Sequence, residues 1–362
     1  MKKYSVMIGL FLLIGSGMWS CSDSGEEPVV EIPDDPDKEE DNIRLKAKFD
    51  IGAAVTNREL SSAQYANTLR THYSQITAEF EMKMAHIWKG ENNYDWAAAD
   101  EMVNFAQTNN MKVHGHTLVW YSSFPNWFKS ANYDSAAFES RVKTYIERVV
   151  QRYKGKVVSW DVANEIFNDN GTLRSENCPV YQTFRDPIAF YGRCFAYARA
   201  IDPDAKLFYN DYNVVLASGK RGAMRQLVNR FQADGYPIDG LGDQFHYMVS
   251  TNRNTIRNGL TDMAGSGLLI HISELDIRVN VNREDDYVYL PSEQAKHAEA
   301  YRDIVSFYES IPQNQKFAIT TWGVADNGTW LRDWWHPKEY PLLFDDSFQK
   351  KRAYNGFLEG LN

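Results

Sequence analysis

Eight short apolar segments alternate with longer amphipathic stretches from Leu45 onward, and this alternation constrains the fold more than any other feature of the chain. The short segments have the length and composition of buried strands. They are residues 49–55, 76–80, 112–120, 157–163, 206–210, 240–245, 268–274 and 317–322. The stretches between them place apolar residues three and four positions apart, as helices do. Examples are residues 96–108, 140–153, 188–200, 221–233 and 293–309.

Regular alternation of strands and helices predicts an α/β protein with a parallel sheet, and eight units favour a single closed (β/α)8 TIM barrel over residues 45–362. A doubly wound open sheet is the alternative. However, the chain contains neither GxGxxG nor GxxxxGK[ST], the glycine-rich patterns that bind phosphate in nucleotide-binding sheets. The barrel is therefore the favoured fold.

The first 44 residues differ in composition from the rest. Residues 1–20 combine a positively charged start with a short apolar run, which is typical of a signal peptide and too short to span a membrane comfortably. Cys21 follows Met18-Trp19-Ser20 and resembles the lipidated cysteine of a bacterial lipoprotein, and acidic residues follow it, as in some surface-exposed lipoproteins. We predict lipidation of Cys21, an acidic disordered tether over residues 21–44, and an outer-membrane location facing the cell exterior. An ordinary secretory signal is the alternative.

Charge and composition limit the classes of partner. The formal net charge is −9, and no tract rich in lysine or arginine stands out, so we expect no nucleic-acid partner and a membrane contact only through the lipid anchor. Ten Trp, 21 Tyr and 19 Phe exceed what an average core requires, and aromatic faces in clefts bind sugars or flat ligands. Cys178 and Cys194 can form at most one disulfide, and two free thiols are equally acceptable. We expect a monomer.

Polar and aromatic side chains cluster at the predicted carboxyl ends of the strands, which in a barrel meet on the face that carries the active site. Glu165 and Glu274 both follow apolar runs there. Glycosidic-bond cleavage requires one carboxyl group to protonate the leaving oxygen and another to attack or stabilise the anomeric carbon, so this pair predicts a glycosidase. A surface or salt-bridged role for either glutamate is the alternative.

Seven separated segments resemble glycoside hydrolase family 10, the endo-β-1,4-xylanases. The resemblance covers nearly all of residues 45–362 and implies a (β/α)8 barrel that hydrolyses xylan or xylo-oligosaccharides with retention and needs neither cofactor nor metal. The segments are EFEMK from Glu79, GHTLVW from Gly115, WDVANE from Trp160, NDYN from Asn210, GDQFH from Gly242, SELD from Ser273 and TWGVAD from Thr321.

Position by position, the resemblance implies that Glu165 is the general acid-base and Glu274 the nucleophile. It implies that Asn210 and His246 hydrogen-bond the nucleophile, and that Asn164 binds the 2-hydroxyl of the sugar. The other substrate-binding residues that it implies are Glu79, Lys83, His116, Trp120, Gln244, Trp322 and Trp330, with His246 also facing the substrate.

Three positions depart from the family pattern. Phe80 stands where the family has an asparagine that binds the second sugar on the glycone side, Tyr121 replaces the histidine of a Trp-His pair, and His114 replaces an arginine. Phe80 removes an amide and adds an apolar face, so we expect the distal glycone subsite to bind differently or more weakly. Decorated xylan, a shorter oligosaccharide and a related β-glycan all stay open as substrates.

Two other functions stay open from the sequence. His114 and His116 lie at i and i+2 of a predicted strand, face the same side and would chelate a metal if other strands supplied further ligands. Candidates for those ligands are His246, His271 and Asp276. A surface glycan-binding protein on an inactive barrel also fits the tether and the aromatic content, but the presence of both Glu165 and Glu274 argues against it.

Overall fold

The computed structural model describes residues 41–362, and eight parallel strands close into a barrel within them. The strands are β1 (Asp50–Val55), β2 (Gln75–Ala78), β3 (Lys112–Gly115), β4 (Ser159–Asn164), β5 (Lys206–Asp211), β6 (Gly240–Asp243), β7 (Leu269–Arg278) and β8 (Lys316–Thr321). Each strand pairs in parallel with the next one, and β8 pairs with β1, which closes the sheet. The predicted (β/α)8 fold is confirmed.

Helices connect successive strands, and every helix predicted from the apolar spacing is present. The helices of eight residues or more are Ala63–His72, Ala97–Thr108, Ser135–Tyr153, Pro187–Ile201, Ser218–Asp234, Arg253–Ala264, Pro291–Glu309 and Arg352–Gly360. Shorter ones are Ile43–Lys46, Asn57–Leu60, Met84–Ile87, Asn126–Lys129, Pro179–Thr183 and Leu331–Trp334. Helix Ser135–Tyr153 begins before the predicted residue 140 because Asp134 caps it, accepting a hydrogen bond from the N–H of Ala137 at 2.8 Å.

The predicted strand over residues 112–120 is interrupted. β3 ends at Gly115, and a short strand, Val119–Trp120, continues beside β4. The interruption is caused by a contact with a distant segment, because the hydroxyl of Thr117 and the N–H of Leu118 both donate to the carbonyl oxygen of Asp161, at 2.8 and 2.9 Å. These two bonds connect residues 117 and 118 to β4 where the regular pairing of β3 has ended.

Strand β7 is longer than the predicted segment 268–274. It continues to Arg278 because a short strand, His246–Met248, pairs with its second half and places His246 opposite Asp276. The extension carries β7 past the rim of the barrel, towards the face where the strands end.

The folded domain begins earlier than the predicted residue 45. Ile43 is fully buried, and its N–H donates to the hydroxyl of Tyr354 in the last helix at 3.1 Å. Asn42 caps helix Ile43–Lys46, accepting a hydrogen bond from the N–H of Arg44 at 2.9 Å. Residues 42–44 therefore belong to the domain and not to a solvated tether.

The remaining predictions for the N-terminus lie outside the described residues. The signal peptide, the lipidation of Cys21 and most of the tether stay predictions. Between residues 41 and 362, none of the helices has both the length and the apolar character that a membrane span requires. Cys178 and Cys194 are both buried free thiols, which decides between the two alternatives for this pair.

Candidate active site

The predicted site residues within the described chain meet at the carboxyl ends of the barrel strands, and contacts between neighbours join them into one cluster. Strand ends and the loops that follow them supply every member. These residues are Glu79, Lys83, His116, Trp120, Asn164, Glu165, Asn210, Gln244, His246, Glu274, Trp322 and Trp330. Only Cys21 lies outside the described residues.

Glu274 is held at an irregularity in β7. The pairing of β7 with β8 shifts register at this point, so that the consecutive residues Ser273 and Glu274 both reach Asn210 on β5. Asn210 donates from Nδ2 to Oε1 of Glu274 at 2.9 Å, and its Oδ1 accepts from the hydroxyl of Ser273 at 2.6 Å. Glu274 is 5% exposed, so these bonds fix a buried carboxylate in one orientation.

The close approach of Asn210 depends on a glycine in the next strand. A Cβ atom at Gly242 of β6 would lie 2.3 Å from Oδ1 of Asn210, which is far inside van der Waals contact. A side chain at Gly242 would therefore push the Asn210 amide away from Glu274. Asn210 also donates to Oδ1 of Asn164 at 3.0 Å, which orients that amide as well.

His246 holds the second oxygen of Glu274. Its Nε2 lies 3.3 Å from Oε2 of Glu274, and its Nδ1 lies 3.0 Å from Oδ2 of Asp276. Burial lowers the pKa of His246, but the carboxylates of Asp276 and Glu274 outweigh burial and raise this pKa to about 10. The imidazole is therefore protonated at neutral pH, and a cation faces Glu274.

The same contacts keep Glu274 ionised. Burial favours the neutral carboxylic acid, but the hydrogen bond from His246 and the charges of that ring and of Lys83 hold the pKa of Glu274 below its ordinary value. Glu274 thus combines a fixed position with a negative charge that is shielded from bulk water.

His116 is oriented by a carboxylate inside the barrel. Its Nδ1 lies 2.8 Å from Oδ2 of Asp161, which leaves Nε2 as the ring nitrogen available to a ligand. His114 places its Nε2 3.0 Å from the same oxygen, and its Nδ1 lies 2.7 Å from the hydroxyl of Ser159. Burial raises the pKa of Asp161, but the two histidines outweigh it and hold this pKa well below its usual range.

The metal site considered from the sequence is not formed by these side chains. His114 and His116 share Asp161, His271 makes a 2.8 Å hydrogen bond to the hydroxyl of Thr320, and His246 contacts the two carboxylates described above. Residues 41–362 contain no group of three or more histidine, cysteine or acidic side chains placed to hold a metal ion.

Glu165 follows β4 directly, and its side chain is partly exposed. Its backbone is left-handed, with φ of 56°, and is held on both sides: its N–H donates to the carbonyl of Asn210 at 2.9 Å, and its carbonyl accepts from Nε of Arg174 at 3.0 Å. In the side chain, Oε1 accepts from Nε2 of Gln244 at 3.0 Å, and Oε2 lies 4.0 Å from the guanidinium of Arg174. The side chain is 12% exposed, so water and a ligand can reach it.

Arg174 is a site residue that the sequence did not reveal. Its guanidinium lies 4.5 Å from the ring of Tyr121 and donates to the hydroxyl of Tyr212 at 2.8 Å. Tyr121 is one of the departures from the family pattern, and here it covers the cation that faces Glu165. Arg174 lies in a loop between β4 and β5, outside every predicted strand end and every recognised segment, so its position in the chain carried no signal.

Lys83 lies against the aromatic walls on the other side of the cluster. Its Nζ is 4.9 Å from the ring centre of Trp120 and 5.9 Å from that of Trp322. Burial lowers the pKa of Lys83, although nearby carboxylates, Glu274 first among them, oppose this effect. Burial also raises the pKa of Glu79, to about 7, and repulsion from neighbouring acids adds to the increase.

A cleft of about 910 Å³ opens beside this cluster. Glu79, Phe80, His86 and Trp330 contribute to its walls, and the side chain of Phe80 is 43% exposed. Trp330 is fixed by a 2.9 Å hydrogen bond from its Nε1 to Oδ2 of Asp276. The cleft thus offers aromatic faces and polar groups along its length, which suits an extended, hydroxyl-rich ligand better than a small apolar one.

The two carboxyl groups differ in their surroundings. Glu274 is buried, ionised and held by an amide and an imidazolium, whereas Glu165 is partly exposed and lies beside an amide and a guanidinium. A fixed anion and an accessible carboxyl group that exchanges a proton are the two parts that glycosidic-bond cleavage requires.

Comparison with known proteins gives a consistent result. The profile of glycosyl hydrolase family 10 matches residues 42–360. An endo-β-1,4-xylanase of Cellvibrio japonicus is 34% identical over an alignment of 341 residues that covers 86% of this chain and 56% of the relative. A β-1,4-xylanase of Dictyoglomus thermophilum is 34% identical over 364 residues, covering 98% of this chain and 97% of the relative. The chain thus spans about half the length of the first relative and nearly all of the second.

A solved structure has the same fold. It is a variant of a Cellvibrio japonicus xylanase in complex with xylopentaose, and it superposes with a TM-score of 0.83 at 33% sequence identity. The match covers 89% of this chain and 69% of the other.

Proposed function

The chain belongs to glycosyl hydrolase family 10, and on that premise we propose that it is a retaining endo-β-1,4-xylanase that cleaves the xylan backbone. The observation that carries the proposal is a pair of carboxyl groups that share Asn210: Glu274 is buried and held by the Asn210 side chain and His246, and the partly exposed Glu165 donates its backbone N–H to the Asn210 carbonyl. The names of the similar proteins support xylan as the substrate class.

In the first step, the carboxylate of Glu274 attacks the anomeric carbon while Glu165 gives its proton to the leaving oxygen. A covalent glycosyl ester forms, and Glu274 loses its negative charge. The hydrogen bonds from Asn210 and His246 aim the attacking group before the reaction begins. His246 keeps its proton during this step because Asp276 stabilises the imidazolium independently of Glu274.

In the second step, Glu165 acts as a base and takes a proton from the water that cleaves the ester. After the first step its carboxylate is negative, and Gln244 and Arg174 are the groups that stabilise this charge. Two successive displacements at one carbon return the original configuration. This mechanism requires the two carboxyl groups to lie about 5 to 5.5 Å apart.

Asn164 is the group that would recognise the sugar next to the reacting bond. Because Oδ1 of Asn164 accepts a hydrogen bond from Asn210, the Nδ2 donor of Asn164 is left for the sugar 2-hydroxyl. A hydrogen bond at this hydroxyl strengthens as the oxocarbenium-like transition state forms, so it accelerates the reaction more than it tightens binding.

The products released from defined polysaccharides test the proposal. The protein is incubated with linear xylan, glucuronoarabinoxylan, cellulose and a mixed-linkage β-glucan, and products are separated by chromatography over time. We expect short xylo-oligosaccharides from the earliest times and no comparable release from cellulose. Release from a glucan but not from xylan would contradict the proposed substrate, and binding of xylan without products would favour a glycan-binding protein.

Replacing Phe80 with asparagine is expected to improve the hydrolysis of short linear xylo-oligosaccharides. The exposed phenyl ring offers an apolar face to the distal glycone sugar, whereas an asparagine amide would supply a donor and an acceptor. A neutral hydrogen bond contributes about 0.5–1.5 kcal/mol net, so kcat/KM on xylotriose should rise roughly two- to tenfold.

The exposed Leu45, which lies in the first helix and does not line this cleft, provides a matched control. Its replacement by asparagine also converts an exposed apolar side chain into an amide, and it should leave kcat/KM on xylotriose unchanged. Equal or lower kcat/KM for the Phe80 variant on xylotriose would show that this side chain does not limit the glycone subsite.

A further inference from the structure

The aromatic wall of the cleft continues outward from Trp330 to Trp334. The two indole rings stack with their centres 4.8 Å apart and 28° between their planes. Trp330 belongs to the active site, since its ring lies 5.2 Å from that of His246. Trp334, by contrast, is 58% exposed. An indole that is open to solvent and rigidly backed by a second indole is a ready surface for a pyranose ring.

Two arginines lie against the same group of rings. The guanidinium of Arg278 is 4.6 Å from the ring centre of Trp335 and 5.9 Å from that of Trp334. The guanidinium of Arg283 is 3.6 Å from the ring centre of Trp335. Trp335 is itself fixed, because its Nε1 donates to the carbonyl of Asn280 at 3.0 Å. We call Arg278, Arg283, Trp334 and Trp335 the Trp334 patch.

The positive charges of the patch are not neutralised by direct ion pairs. Within residues 41–362, no ion pair within 4 Å involves either guanidinium, and two of the three acids that follow Arg283, Glu284 and Asp285, have other partners. Asp285 lies 3.1 Å from the ring of His336, and Glu284 accepts from the amide of Asn282 at 3.1 Å. Arg278 donates to the carbonyl of His246 at 3.2 Å, while its buried Nε has no hydrogen-bond partner in the described chain.

From this arrangement we infer that the Trp334 patch binds a uronic acid branch of xylan. The sugar ring of the branch stacks on Trp334, and its carboxylate pairs with Arg283 and Arg278. A neutral sugar would use the indole alone, whereas a carboxylate also matches the two guanidiniums, which bind such groups in a planar, bidentate manner. The inference rests on the proposed function, because it needs a xylan backbone in the cleft.

The distances are compatible with a branch of a single sugar. The ring of Trp330 neighbours both Trp334 and His246, with ring centres 4.8 and 5.2 Å apart, and His246 is the residue that holds the nucleophile. A backbone that runs along the cleft past Trp330 therefore passes within one sugar of Trp334. The carboxylate would lie outside the reaction centre, so it would add affinity for branched chains without taking part in the chemistry.

Binding to the full chain carrying Glu274→Ala, which prevents turnover, tests the inference. Calorimetry compares linear xylopentaose with xylopentaose carrying one glucuronic acid, with the branch at each position in turn. We expect one branched isomer to bind about tenfold more tightly, or about 1.4 kcal/mol. Arg283→Gln in the same background should remove most of this advantage and leave the affinity for linear xylopentaose unchanged, and Trp334→Ala should weaken the branched ligand.

Arg148 supplies the matched control. It is also an exposed arginine above an aromatic ring, 5.0 Å from the centre of Tyr94, but it lies on the outer helix Ser135–Tyr153. Arg148→Gln should change neither the affinity for linear xylopentaose nor that for the branched ligand. Because the interaction with the branch is electrostatic and near the surface, its advantage should also shrink as the salt concentration rises.

The failure of this inference can be distinguished from failure of the proposed function. Equal affinity for linear and branched ligands at every position, or an advantage that survives both Arg283→Gln and Arg278→Gln, would overturn the inference alone. Tighter binding of an oligogalacturonide than of any branched xylo-oligosaccharide would assign the patch to a polyuronide chain and would also overturn it. If linear xylopentaose does not bind and the parent protein releases nothing from xylan, the proposed function itself is contradicted.

Discussion

Replacing Glu274 with alanine is expected to abolish xylan hydrolysis. The substitution removes the atom that attacks the anomeric carbon and leaves Asn210 and His246 directed at an empty space. Loss of a catalytic nucleophile costs about 10⁵–10⁶-fold in kcat in well-studied hydrolases. The release of reducing ends from xylan, measured over a wide range of protein concentration, should therefore fall by about five orders of magnitude or to the detection limit.

Chemical rescue distinguishes this loss from misfolding. A small anion such as azide can occupy the space of the missing carboxylate and attack an aryl xyloside with a good leaving group. A single displacement then gives the α-configured xylosyl azide, the inverted product. Glu79→Ala, which removes another carboxylate from the same cluster, should give no such product. Substantial residual activity of the Glu274 variant, or rescue only with retained configuration, would show that the nucleophile is another group.

Most of the fold was predictable because the spacing of apolar residues indicates which segments are buried, and the strands of a barrel are buried segments. All eight predicted strands are present, and the ends of most shift by a residue or two. The larger differences arise where side chains decide the path of the backbone. Thr117 and Leu118 turn towards the carbonyl of Asp161, and the short strand His246–Met248 extends β7. Both are contacts between segments far apart in the chain, so local spacing does not reveal them.

The position of the proposed catalytic pair was predictable for a related reason. Glu165 and Glu274 each follow an apolar strand, and the barrel brings strand ends together whatever the details of packing. The groups that set their charge were less visible. Asp276 stood in a recognised segment and was considered only as a candidate metal ligand, although it raises the pKa of His246, and Arg174 reaches Glu165 from a loop. A role that depends on a partner across the barrel becomes visible only with the three-dimensional structure.

The patch around Trp334 illustrates the same limit. The sequence shows a Trp-Trp-His run and separate arginines at positions 278 and 283, and neither feature by itself indicates a binding site. Folding places both guanidiniums on the ring of Trp335 and stacks Trp334 on Trp330. The chemistry of the patch thus follows from the packing of the end of β7 and the loop after it against the end of helix Leu331–Trp334.

Replacing Glu165 with alanine is expected to slow the hydrolysis of substrates with poor leaving groups much more than that of substrates with good leaving groups. Xylan and unactivated xylosides need a proton on the leaving oxygen, so their hydrolysis should slow by about 10²–10⁴-fold, the usual contribution of general acid catalysis. An aryl xyloside that releases a stable phenolate needs no such proton, and Glu274 should still attack it. The second step then lacks its base, so the covalent intermediate accumulates, which is observed as a burst of phenolate followed by slow turnover and as a low KM.

The stereochemistry of rescue completes this test and separates Glu165 from Glu274. In the Glu165 variant, azide replaces water in the second step. It attacks the anomeric carbon of the ester from the side on which the Glu165 carboxyl group lies in the parent protein. Because Glu274 has already inverted the centre once, this second inversion gives the β-configured xylosyl azide and restores rapid turnover of the aryl xyloside. Equal losses on xylan and on the activated xyloside, without a burst and without this product, would mean that Glu165 supports the structure of the cleft and that the proton comes from another group. The opposite configurations predicted for the two variants make it impossible for one structural defect to explain both results.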